Sequence, residues 1–163
     1  MNEMKATEFA ISCAVRLRGD DLDPAVITAR LGITPSLALK KGGTRQTAKG
    51  RVIPIRTGVW DYSVSVDGTD FEPAIEQALA PFEGIAFALT SLPGVADAIL
   101  DIYATADRTP EVDSYDGAYF SFSAKQLQQI AILNLAIEVS VSVFDRVERA
   151  DSHHTPSTAL PNP

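Results

Sequence analysis

Two alternating runs with a helix start between them, residues 118–143, constrain the fold more than any other part of this chain. Ala118, Phe120 and Phe122 alternate with Tyr119 and Ser121, the period of a half-buried strand. Ser123, with Gln126 three residues on, forms a Ser-x-x-Gln capping box. Leu127, Ile130, Ala131 and Asn134 follow at helical spacing. The chain then returns with Ile137, Val139, Val141 and Val143 on one face and Glu138, Ser140 and Ser142 on the other. A strand–helix–strand unit of this kind needs a sheet for both strands and a face of that sheet for the helix.

The rest of the chain supplies the other elements. In Phe9–Arg18, Phe9, Ile11, Cys13, Val15 and Leu17 share one face, and Ser12, Ala14, Arg16 and Arg18 the other. After a turn at Gly19–Leu22, Asp23 caps a helix whose first residue is Pro24, where proline loses no hydrogen bond. Val26, Ile27 and Leu31 form its expected buried stripe. Gly32 ends it, and Thr34-Pro35 confirms the stop. Val59–Val66 is a strand with Trp60, Tyr62, Val64 and Val66 alternating with Asp61, Ser63 and Ser65. A helix begins at Thr69 or Asp70, with Glu72 placed for a capping box and Ile75, Leu79 and Phe82 on its apolar face. Pro81 splits it, leaving a second segment with Ile85, Leu89 and Leu92. Ala96–Thr105 is a strand with Ala98, Leu100, Ile102 and Ala104 inward, and Asp107–Asp116 an acidic loop.

The expected order is β-α-β-α(α)-β-β-α-β. That is an α+β fold: a single five-stranded, mostly antiparallel sheet with helices packed on one face and the other face wet. Residues 8–145 are expected to form a single domain, with residues 1–7 flexible and residues 146–163 a disordered tail. No apolar run reaches membrane-spanning length, and the first residues lack the apolar core of a signal peptide. The lone Cys13 cannot form an internal disulfide. Together these give an expected cytoplasmic location. Cys13 reads as a small buried hydrophobe rather than a nucleophile.

Charge is the one strong asymmetry. The net charge is −7, but Ser36–Gly58 holds Lys40, Lys41, Arg45, Lys49, Arg51 and Arg56 and no acid. The remainder, with eight Lys and Arg against 21 Asp and Glu, stands at −13. Such a body repels nucleic acid except where that segment projects. The segment contains Gly42, Gly43, Gly50 and Pro54 and no sustained period. It is a loop, or two ragged edge strands around Gly42-Gly43.

Residue types exclude several chemistries. The only histidines, His153 and His154, lie in the tail, so the body has no Ser-His-Asp or Cys-His arrangement and no Cys/His zinc set. Lys41-Gly-Gly-Thr44 lacks the glycine spacing of a phosphate loop. Asp20, Asp21 and Asp23 lack a calcium-loop pattern and are accounted for by capping. Asp113, Ser114 and Asp116 fail the same pattern. Asp97 and Asp101 share a strand face that reads as solvated. Asp116–Ser123 has the aromatic spacing of an RNA-recognition strand without its leading Lys or Arg. No cofactor or metal is expected.

Gly19–Thr28 (GDDLDPAVIT), Leu31–Pro35 (LGITP), Lys40-Lys-Gly42, Gly58-Val-Trp-Asp-Tyr62 and the closing helix–strand from Ser123 together make the chain resemble a bacterial family, the domain of unknown function DUF4279. The resemblance covers about residues 9–145. It implies a single α+β domain in a bacterial cytosol and carries no activity with it. The closing strand, Glu138–Phe144, departs from the family's acidic ending, and the stretch Gly43–Arg56 is longer than the usual connection.

These readings lead to a non-enzymatic binding or protein-interaction module. A groove near Asp20, Asp21, Lys40, Lys41 and Trp60, with Arg45 beside it, would hold a protein or an anionic ligand. The same charges could instead lie against the protein's own acids. Two alternatives stand beside it: an enzyme working with carboxylates and lysine, and nucleic-acid binding through residues 36–58. Self-association through the wet face or an edge strand is compatible with all three.

Overall fold

The computed structural model describes residues 9–108 and 120–145. Its centre is β1 (Phe9–Gly19), which pairs along its whole length with β5 (Gly58–Gly68) on one side and with β6 (Asp97–Arg108) on the other, both antiparallel. The three-residue strand β2 (Leu37–Leu39) closes one edge against β5, and β7 (Ala136–Asp145) closes the other, parallel to β6. The order is β2-β5-β1-β6-β7. The α+β class and the five-stranded mixed sheet, antiparallel but for its last pair, match the expectation. A second, two-stranded sheet pairs β3 (Thr44–Gln46) with β4 (Val52–Pro54).

The period-2 pattern sets the register. Leu17, Val15 and Cys13 stand opposite Trp60, Tyr62 and Val64 on β5, while Val15 and Cys13 stand opposite Leu100 and Ile102 on β6. That inner face is buried against α2 (Glu72–Leu79), which brings Ala74, Ile75, Ala78 and Leu79 into the core with Phe71 and Phe82. Burying Phe71, Phe82 and Trp60 completely contributes roughly 2–3 kcal/mol each before entropy is counted. The outer face carries Arg16, Asp61, Ser63, Ser65 and Asp101.

Capping follows the sequence closely. Asp23 Oδ1 accepts from the Ala25 amide at the start of α1 (Pro24–Leu31), and Gly32 ends it at φ 67°. At α3 (Ala124–Leu133) Ser123 and Gln126 form the reciprocal capping box, and Asn134 closes the helix in the left-handed conformation. At α2 the expected capping box with Glu72 does not form: the helix begins after Phe71 with no side-chain cap, and Asp70 Oδ1 accepts from the Glu72 amide just ahead of it.

Several expectations are corrected. Phe120–Phe122 is not a strand: the Phe120 ring stands 5.9 Å from that of Phe71 and the Phe122 ring meets Phe120 edge-on, so alternation there reflects aromatic packing on the end of the core. Leu37–Leu39 takes the fifth place in the sheet. Pro81 sits in a single 3-10 turn, Ala80–Phe82, and the expected second helical segment reduces to another, Leu89–Ser91. Val26 and Leu127 are exposed, because each of these helices buries a narrower stripe than its apolar residues suggest. Asp107 belongs to β6. The expectations for residues 1–7, 109–119 and 146–163, including Asp113, Asp116 and both histidines, lie outside the described residues.

Candidate functional site

The basic stretch divides into two parts with different fates. Lys40 and Lys41 leave β2 toward the turn after β1, where acids wait. Lys40 Nζ lies 2.6 Å from Asp23 Oδ2, and Lys41 Nζ lies 2.6 Å from Asp20 Oδ2, whose other oxygen accepts from Thr57. The hydrogen bond and charge of Lys41 hold the Asp20 carboxyl below its ordinary range. The hydrogen bond from Lys40, then that from the Ala25 amide, does the same for Asp23. Both pairs are exposed, where ion pairs contribute little. Asp21 is exposed beside them.

Between α1 and β2 lies an open groove of about 540 Å³, lined by Asp23, Pro24, Ala25, Thr28, Ala29, Ala38 and Lys40. Trp60 lies beneath it and not in it. It is 0% exposed, stands opposite Ala38 in the sheet register, and donates from Nε1 to Thr28 Oγ1 at 3.0 Å. Its ring meets Phe82 edge-on. The alternation that puts Tyr62 inward puts Trp60 inward too, so it supports the groove floor from below. The groove's two charged groups, Asp23 and Lys40, are engaged with each other.

Arg45 goes elsewhere. The chain turns at Gly42 (φ 85°), where two backbone bonds, Gly42 to Ile55 and Ile55 to Gly43, tie the base of the β3–β4 hairpin. Thr47–Gly50 forms its tip, closed by the Gly50 amide on Thr47 and by Gln46 Nε2 on the Gly50 carbonyl. Arg45, Lys49, Arg51 and Arg56 are all exposed, and none forms an ion pair with another described residue. Val52 stands 62% exposed among them.

The sequence reading grouped Asp101 with Asp97 on a solvated face; instead Asp101 is one-fifth exposed and belongs to an outer-face cluster in which Arg16 holds both Asp61 and Asp101. Its signal was present in the alternation, which put Arg16 and Asp61 on one face of neighbouring strands. Among the described residues no three His, Cys, Asp or Glu side chains stand together as metal ligands would, and no helix is long and apolar enough to cross a membrane.

The family model for a domain of unknown function, DUF4279, matches residues 7–144, nearly the whole chain. The chain belongs to the DUF4279 family. The match spans every element of the five-stranded sheet except the last residue of β7. No curated protein and no solved structure matches this DUF4279 chain.

Proposed function

We propose that this DUF4279 chain is a non-enzymatic interaction module whose contact element is the β3–β4 hairpin, and that it takes an acidic segment of a protein partner. The observation that carries the reading is the set of four exposed cations, Arg45, Lys49 and Arg51 on the β3–β4 hairpin and Arg56 just past its base, outside the main sheet. Lys40 and Lys41 already face Asp23 and Asp20, so the hairpin cations are the better contact set for this reading. The net charge of −7 opposes the approach of a long polyanion and leaves room for a short acidic one. Exposed Val52 gives the ribbon an apolar contact to add to the ionic ones. The single buried thiol fits a reducing, cytosolic setting.

The test compares the wild type with a variant carrying Arg45→Ser, Lys49→Ser, Arg51→Ser and Arg56→Ser. Binding of a labelled Asp/Glu-rich peptide and of a single-stranded oligonucleotide is followed by anisotropy. The expected result is peptide binding that weakens at least tenfold in the variant, with its melting temperature unchanged. Equal peptide binding by the two proteins defeats the reading. Tighter binding of the oligonucleotide than of the peptide replaces it with nucleic-acid recognition.

A further inference from the structure

The two edges of the sheet are treated differently. At one edge β2 is only three residues long, which leaves little backbone to template another chain. At the other, β7 runs ten residues with no Pro, Gly, Lys or Arg, and among the described residues no strand lies on its outer side. Its apolar row is also uncovered. Leu100, Ile102, Ala104 and Ala106 of β6 are 0–3% exposed, yet their register partners Ile137, Val139, Val141 and Val143, on the same face one strand over, are 36–56% exposed. The core therefore stops one strand short of the end of the sheet.

We infer that β7 pairs with β7 of a second copy of this chain, antiparallel about a two-fold axis at Ser140. The occupant follows from the strand's own pattern. A two-fold axis normal to the sheet keeps faces matched and sets residues whose numbers share a fixed even sum opposite one another. Centred on Ser140, Val139 meets the second copy's Val141, Ile137 meets Val143, Glu138 meets Ser142 and Ala136 meets Phe144. Apolar meets apolar, and no like charges face each other. Centred on Val141, the same strand sets Ile137 against Asp145 and Glu138 against Phe144. Centred on Val139, it loses the pairing of Val143 and Phe144 within β7. The Ser140 register pairs residues 136–144 of β7, nine of its ten, and alone does so without an apolar–charge conflict. It makes one ten-stranded sheet from two copies, and it joins the two exposed valine rows into one continuous apolar strip.

The test uses the full chain. Sedimentation equilibrium is expected to give a dimer for the wild type and a monomer for the Val139→Lys, Val141→Lys double variant. Oxidation of Ser140→Cys is expected to give a disulfide-linked dimer, since the two cysteines would face each other on the axis. Ser142→Cys should give none, because its two copies lie roughly 13 Å apart along the strand (four residues at about 3.3 Å), beyond the roughly 7 Å that a disulfide spans. Buried Cys13 stays out of the reaction. A monomeric wild type, a dimer that survives both lysines, or cross-linking at Ser142 in place of Ser140 would each overturn the inference. The cysteine pair decides the matter even where the lysine variant does not fold.

Discussion

Arg16 lies directly across β1–β5 from Asp61, and its Nε and Nη2 both reach the same oxygen, Oδ2, at 3.0 and 2.9 Å. The other oxygen, Oδ1, is buried with no hydrogen-bond partner among the described residues. Nη1 meanwhile reaches Asp101 Oδ2 on β6 at 2.6 Å. One cation thus bridges two carboxylates across three adjacent strands. Arg16→Met leaves Asp61 inside without its counter-charge and should cost about 3 kcal/mol, the low end for a broken buried pair, because Arg16 keeps about a quarter of its side chain in water. Adding Asp61→Asn should return part of that loss. Urea denaturation of the two single variants and the double variant measures the coupling. A loss under about 0.5 kcal/mol for Arg16→Met would reduce the bridge to a surface contact.

Thr28 Oγ1 is the partner of the Trp60 indole N–H. Thr28→Val keeps the shape of the side chain and removes the acceptor. With Trp60 fully buried, the stranded N–H should cost about 1–2 kcal/mol. The indole fluorescence on denaturant unfolding provides the readout, since Trp60 is the only tryptophan. An unchanged midpoint would mean that the N–H finds another acceptor.

Three glycines meet where β1, β5 and the turn before β6 converge. A Cβ at Gly19 would overlap the Gly94 carbonyl oxygen, and one at Gly58 would stand 2.7 Å from the carbonyl oxygens of both Gly19 and Leu22. Gly19→Ala and Gly58→Ala should each destabilise by about 2–3 kcal/mol, because the obstacle is backbone and has no rotamer to yield. Gly32→Ala meets nothing within 4 Å and carries only the left-handed strain of its φ of 67°, about 1 kcal/mol. Thermal melts of the three variants should fall in that order, and equal shifts would refute the packing account.

Burial, and then the nearby charge of Asp101, push the Cys13 thiol from its ordinary 9.0 up to about 12. The fold favours the neutral thiol. Its contribution is therefore whole below pH 9 and is lost as pH rises from 9 through 12. The slope from this group is about 1.4 kcal/mol per pH unit in that window. Wild type should lose stability between pH 9 and 11 more steeply than Cys13→Ala. Iodoacetamide should label native protein at neutral pH only as fast as the chain unfolds. Parallel stability–pH curves for the two proteins would contradict this.

The long strands of the main sheet were legible because they offer sustained alternation, from Phe9 to Arg18 and from Val59 to Val66. So were the helix ends at Asp23, Gly32 and Ser123, where one residue type satisfies a backbone group that nothing else reaches. Three-residue strands carry no readable period, so Leu37–Leu39 and the hairpin from Thr44 to Pro54 were visible only as a charged, glycine-marked stretch. Alternation also cannot distinguish a strand from a coil whose rings pack in turn, which is why Phe120 and Phe122 read as a strand. Trp60 joined the candidate site because it neighbours the basic segment in sequence, although its own alternation with Asp61 already pointed it inward. The exposure of Val139 and Val141 depends on strand order, which local pattern does not encode.

The central position of β1 has a consequence for biosynthesis. The strand that every other part of the sheet leans on is the first to leave the ribosome, and its second neighbour is complete only at Arg108, 89 residues after Gly19. At about 5–20 residues per second, that interval lasts roughly 4–18 seconds. For that time a strand bearing Phe9, Ile11, Val15 and Leu17 waits with at least one side unpaired. A translation pause before β6 lengthens the exposure, and one after it does not. Codon speed between Gly68 and Arg108 therefore bears on the yield of folded protein more than codon speed anywhere downstream.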